Sequence, residues 1–221
     1  MNLAISLITA LAFTQQAPPA AQTATKTDLT SLDRTYKVGD ESSYILSVES
    51  DGGPMHLGAK ITVKTLSLLD GGKASQELTA SQFTGGPDGA GAPEKVTWTF
   101  GKDGMAAADF DVSSGNMVYS VISMLSVVPG TITPGKEFKV DWTSPDKAST
   151  IKGSGTFEGL KEVNGVKVAV VKTTLEVSPG GQSAATLRNT SNFDPTNGRL
   201  VSADGKVELQ GTVLTISVKA G

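Results

Sequence analysis

Seven Asp-Gly or Asn-Gly dipeptides punctuate the chain, at Asp51-Gly52, Asp70-Gly71, Asp88-Gly89, Asp103-Gly104, Asn164-Gly165, Asn197-Gly198 and Asp204-Gly205. Tight hairpins need positive φ at their central residues, and these dipeptides accept it at the least steric cost. Most of them separate short runs in which apolar and polar residues alternate, the period of a strand with one buried face. The expected fold class is therefore all-β and mainly antiparallel.

The expected strands are Glu41 to Glu49, Leu57 to Leu69, Lys73 to Phe83, Glu94 to Gly101 and Met105 to Ser113 in a first group. A second group has Phe138, Val140 and Trp142 alternating inward, then Thr150 to Val163, Val166 to Val177, Ala184 to Asp194, Arg199 to Ala203, Lys206 to Gln210 and Thr212 to Lys219. Roughly ten or eleven strands exceed what a flat sheet carries, so the sheet must curl, close or split. The two groups share landmarks displaced by roughly 94 residues, a half-domain spacing rather than a solenoid period. Val38-Gly39-Asp40-Glu41 corresponds to Pro134-Gly135-Lys136-Glu137, and Asp70-Gly71-Gly72-Lys73 to Asn164-Gly165-Val166-Lys167. Thr84 to Pro87 corresponds to Ser178 to Gly181, and Phe100 to Gly104 corresponds to Phe193 to Gly198. The reading is two similar halves, one β repeat over residues 36–114 and a second over 134–221.

Between them, residues 115–133 hold a helix and connector. Asn116 to Val128 fails a two-residue period but fits the helical one: Met117, Val121, Met124, Leu125 and Val128 fall on one face, and Ser120, Ser123 and Ser126 on another. Asn116 can cap the start, and Pro129-Gly130 ends the run. So apolar a helix needs a receptor, and the concave face of a curved sheet or incomplete barrel is the natural one.

Within Met1 to Phe13 the N-terminus carries an apolar stretch of about 11 residues, the length of a secretory h-region and too short to cross a bilayer. Ala10-x-Ala12 offers a small-residue cleavage site, and the first charge is Lys26. Residues 1–17 are read as a signal peptide, and 18–35, rich in Ala, Gln, Thr and Pro, as a disordered tether, with folding from Tyr36. The product expected is periplasmic or extracellular. The chain has no cysteine, so a lipid-anchored lipoprotein, disulfides, a thiolate nucleophile and a thiolate metal site are all excluded. A net charge of −3 with three arginines, Arg34, Arg188 and Arg199, gives little attraction for nucleic acid or an anionic membrane.

Candidate catalytic groups each meet a plainer alternative. His56, the sole histidine, lacks a second His or Cys to build a metal site or a base with it. Asp109 and Asp111 flank Phe110 and on a strand would share one face, able to hold Ca²⁺ or to act as acid and base, or simply to be solvated. Asp194-Pro195-Thr196-Asn197-Gly198 resembles a calcium loop, but the twelfth position is Gly205 rather than Glu, so a hairpin turn is expected. Ser144-x-x-Lys147 and Ser149-x-x-Lys152 fit an acyl-transferase pattern, yet neither opens a helix. The stretch Gly85 to Gly91 is a hairpin loop, not a phosphate cradle. Trp98 and Trp142 alternate with apolar neighbours, as core aromatics do.

The Gly-Asp-Glu start, the Asx-Gly hairpins and the ending Phe193-Asp194…Gly198-Arg199-Leu200 resemble uncharacterised secreted bacterial all-β proteins carrying domains of unknown function, over Tyr36 to the C-terminus. The resemblance implies no catalytic residues. A curved sheet with a helix inside is also similar, at the level of fold, to the half-barrel carriers of bacterial lipoproteins, which implies a concave face able to hold acyl chains.

The function expected is an exported, non-enzymatic binding or carrier module for an apolar or lipid-like ligand of the cell envelope, with no cofactor. Val121, Met124 and Leu125 are the expected pocket residues. The alternative is a structural or adhesive envelope protein without a small ligand, and a third reading is a hydrolase built on carboxylates.

Overall fold

In the computed structural model, residues 31–53, 56–85, 94–108, 117–128, 130–144, 147, 149–178 and 184–221 are described. They form strands β1 (Glu41–Ser50), β2 (His56–Leu69), β3 (Lys73–Thr84), β4 (Glu94–Phe100) and β5 (Ala106–Ala108). Helix α1 (Met117–Leu125) follows, and then β6 (Glu137–Thr143), β7 (Thr150–Val163), β8 (Val166–Ser178), β9 (Ala185–Phe193), β10 (Leu200–Leu209) and β11 (Thr212–Ala220). All eleven strands join one antiparallel sheet in the order β5-β4-β3-β2-β1-β11-β10-β9-β8-β7-β6. The two meanders thus meet where the first strand pairs with the last, Tyr44 opposite Ala220 and Ser50 opposite Leu214.

The sheet is curled, and simple distances show that it has to be. α1 packs against β3, and its Leu125 carbonyl accepts a bond of 2.6 Å from Ser191 Oγ on β9. Four strands, β2, β1, β11 and β10, lie between β3 and β9. In a flat sheet five strand spacings are about 24 Å, twice the width of a helix. Only a sheet wrapped around α1 lets one helix touch both. Leu46, Ile61, Leu78, Phe157, Leu175, Phe193 and Val218 from the concave face join Val121, Ile122, Leu125, Val127 and Val128 in a single core.

Turn chemistry accounts for most of the hairpins. Asp51-Gly52, Asp70-Gly71, Asp103-Gly104, Asn164-Gly165 and Asn197-Gly198 are turns with their glycines at positive φ; Asp88-Gly89 lies outside the described residues. Asp204-Gly205 is a correction: it runs through the middle of β10, which is one strand and not the two expected. Gly205 sits there because a Cβ would lie 2.8 Å from Cβ of Asn189 on β9. The turn into β11 is instead Gln210-Gly211, with φ of 51° and 81°.

The two meanders use the same backbone devices. Gly39 N–H donates to Thr65 O before β1, and Gly135 N–H donates to Phe157 O before β6. A bulge follows each acceptor, between Thr65 and Ser67 in β2 and between Phe157 and Gly159 in β7.

Packing begins before the expected start at Tyr36. Leu32 is 1% exposed, Arg34 N–H donates to Lys102 O at 2.7 Å, and Thr35 N–H donates to Asn197 O at 3.0 Å. One leucine in a polar stretch supplies the reason, since burying it gains about 1.5–3 kcal/mol. Residues 31–36 form a strap held between the β4–β5 and β9–β10 turns.

Candidate functional site

The strap makes one wall of a cavity of about 40 Å³ at one end of the sheet. Arg34, Thr35 and Tyr36 come from the strap, Asp40, Ser42 and Tyr44 from β1 and the turn before it, and Val63 and Thr65 from β2. Gln76 and Leu78 come from β3, Phe100 ends β4, Ile122, Ser123 and Ser126 belong to the helix and its C-terminal turn, Arg199 precedes β10 and Leu200 begins it. Glycines bring these parts together. A Cβ on Gly198 would lie 2.3 Å from Leu32 O, and one on Gly104 would lie 2.7 Å from Ser126 O and 2.8 Å from Cζ of Arg34. Two Asx-Gly turns that shape hairpins therefore also seat the strap.

Two of the three arginines converge here. Arg199 is paired with Asp40 at the rim. Arg34 reaches Ser126 O through Nη2 at 3.4 Å, placing a cation at the negative end of the helix. Among the described residues its buried Nε has no hydrogen-bond partner, and neither has Ser123 Oγ. Tyr36 donates to Gly101 O at 2.7 Å. Burial raises its phenol above the ordinary value, against a lowering by Arg34, so Tyr36 is a neutral donor at physiological pH. On the sheet wall Gln76 Nε2 donates to Thr65 Oγ1 at 3.0 Å.

A separate buried polar chain ties the helix end to the second meander. Thr173 Oγ1 donates to Asn189 Oδ1, Asn189 Nδ2 to Ser191 Oγ at 2.8 Å, and Ser191 Oγ to Leu125 O. The room left by Gly205 is what lets Asn189 occupy this interior position. Every group in the chain is satisfied, as a buried network has to be.

Of the three expected pocket residues, Val121 and Leu125 are buried in the core and Met124 is partly buried against it. None lines the cavity, whose helix wall is Ile122, Ser123 and Ser126. The cavity is thus met by the serine face of the helix, while the apolar face packs into the core. A stripe of serines on a helix that has to be buried was the available signal.

His56 is exposed, with Nδ1 3.4 Å from Glu49 Oε1. Asp194 accepts from Thr196 N at 2.8 Å, Thr196 Oγ1 at 2.6 Å and Asn197 Nδ2 at 2.9 Å, so its carboxylate builds the turn. Ser144 is buried, and its Oγ accepts from Ser149 N at 2.8 Å, closing a turn. Trp98 is buried beside Phe100, ring centroids 6.1 Å apart, and Trp142 packs against the core. Asp109, Asp111 and the Asn116 cap lie outside the described residues. Among the described residues no three His, Asp or Glu side chains gather as a metal site would need, and no helix is long and apolar enough to cross a membrane.

No protein-family model and no curated protein matches the chain. Among solved structures it is similar to a protein of YmcC-like fold from Bacteroides fragilis NCTC 9343, at 10% identity and TM-score 0.44 over 86% of this chain and 97% of that one. It is also similar to the hypothetical lipoprotein YmcC from Escherichia coli K12, at 12% identity and TM-score 0.31 over 80% and 83% of the two chains. These likenesses are too distant to bear on function.

Proposed function

We propose that the protein is an exported, non-catalytic binding module of the cell envelope whose ligand is met at the strap-covered cavity. Export is supported by the uncharged apolar run from Met1 to Phe13, with no charge before Lys26. The observation that carries binding is the cavity itself. Elsewhere the concave face is filled by apolar side chains and the fully bonded chain of Thr173, Asn189 and Ser191, whereas here donors without a partner among the described residues meet a mixed apolar and polar wall, the common composition of a small-molecule site. A volume of about 40 Å³ holds a few water-sized groups, the size of the polar end of a larger, lipid-like molecule or of a very small one. The same reading takes the sheet to be a duplicated unit, supported by the matching glycine turns and bulges of the two meanders.

A structural or adhesive envelope role is the second reading. What favours it is the filled interior together with Leu66, Leu68 and Leu69, exposed near the tip of the β2–β3 hairpin. A native mass spectrum of the gently purified, exported protein, followed by organic extraction, decides between the two. The binding reading expects a small adduct at defined stoichiometry. A clean apo mass for the folded protein would give the structural role precedence.

A further inference from the structure

We propose that Arg34 and Ser123 form a subsite for a carboxylate group borne on a short apolar chain. This inference rests on the binding-module reading and names the chemistry of its ligand. Buried donors without partners are rare in folded proteins, because each has given up its bonds to water for nothing in return. Here two groups without a partner among the described residues, Arg34 Nε and Ser123 Oγ, belong to residues lining one cavity. Ser123 is 6% exposed overall, so bulk water does not solvate it in passing.

The charge balance selects an anion. Among the described residues Arg199 is paired with Asp40 and Arg188 with Glu208, but no carboxylate lies within ion-pair distance of Arg34. The neutral phenol of Tyr36 adds no negative charge. A carboxylate has two acceptor oxygens and one charge, which matches one guanidinium N–H, one hydroxyl and one unpaired cation. Of the remaining walls, Tyr44, Val63, Leu78, Phe100, Ile122 and Leu200 offer apolar surface that suits a hydrocarbon substituent, while Ser42, Thr65 and Gln76 on the sheet side are polar but neutral. The volume of about 40 Å³ holds a few water-sized groups, the bulk of a short acid.

The test titrates the mature protein with acetate, butyrate, decanoate and inorganic phosphate by calorimetry and ligand-observed NMR. Saturable binding of butyrate in preference to acetate and phosphate is expected. If affinity falls again at decanoate the source is a free short acid, and if it keeps rising the group is the end of a fatty acid; both support the carboxylate subsite. Ser123→Ala should weaken the bound acid at least about tenfold, the effect of one lost charge-assisted bond, without lowering the melting temperature, because it deletes a hydroxyl that bonds to none of the described residues. Arg34→Gln should abolish binding. Should that variant fail to fold, Ser123→Ala alone still decides.

Failure of every acid to bind, phosphate binding as tightly as butyrate, or unchanged affinity in Ser123→Ala would overturn the proposal. If no acid binds while the native spectrum carries another adduct, only the carboxylate assignment falls. If there is no adduct either, the binding-module reading falls with it.

Discussion

At the bulge that follows each glycine turn, the two meanders place different side chains in the same backbone setting. In the first, Thr65 faces Gln76 across β2 and β3, and the two side chains are hydrogen-bonded beside the cavity. In the second, Phe157 faces Val171 across β7 and β8, both 0% exposed. The next residue differs as well: Leu66 is exposed, whereas Glu158 is bonded to Lys161 and Lys172. A shared backbone thus builds the curl twice, and the side chains decide which half stays open. Where Phe and Val stand, the concavity is filled; where Thr and Gln stand, room is left for a polar cavity.

The largest test of this difference is Phe157→Ala. It should cost about 3–5 kcal/mol, whereas Thr65→Ala, which strands Gln76, should cost about 1–3 kcal/mol. Urea unfolding midpoints at constant slope measure both. Equal costs would mean that the two bulges carry the same load and the comparison is empty.

Next comes the strap that bridges one turn of each meander. Leu32→Ala should lose about 2–5 kcal/mol and raise proteolysis near residue 31. A variant as stable as the parent would show that the halves hold together without the strap.

Glycines with similar φ but different surroundings give a finer test. Gly165→Ala meets open space at φ 77° and should cost about 1–2 kcal/mol for the left-handed conformation alone. Gly198→Ala, at φ 67°, would also drive a Cβ to 2.3 Å from Leu32 O, so its loss should exceed that of Gly165→Ala by denaturation midpoint. The reverse ranking would place the strap elsewhere.

The smallest effect concerns Glu158. Bonds from Lys161, then from Lys172, hold its carboxyl below the ordinary value, outweighing a small desolvation that raises it. A carboxyl depressed on folding contributes stability that is full above its unfolded-state pKa and is lost as pH falls through the folded-state value. Glu158→Gln should therefore cost less than about 1 kcal/mol near neutrality, and the gap from the parent should close in the acid range. Leu66→Ala, at the matching place, should show no such pH dependence.

Strand positions were legible because their signals are local. Thr150 to Val163 matched β7 to the residue, and Glu41, Leu69, Lys73, Glu94, Val166 and Thr212 each mark an observed strand boundary. A two-residue period and a turn dipeptide are properties of neighbours, so no tertiary knowledge is needed. The misses share the opposite character. Asp204-Gly205 carries the dipeptide of a turn but serves a cross-strand approach to Asn189, and Gln210-Gly211 turns without the preferred side chain. For the candidate site the local signal is silent: Val121 and Leu125 are buried, as the helical period implies, but burial alone does not distinguish a filled core from a lined cavity.

By itself, then, the sequence determined an antiparallel β chain in two runs of strands with one apolar helix between them. Tertiary structure alone decided that β1 pairs with β11, that the sheet wraps α1, and that Leu32 anchors a strap. It also decided that Arg34 meets the carbonyl of Ser126, 92 residues away, beside Ser123. The physical reason is range. Periodicity and turn propensity act between residues a few positions apart, whereas the cavity exists only where four distant segments and the glycines that let them approach are brought into contact by the curl.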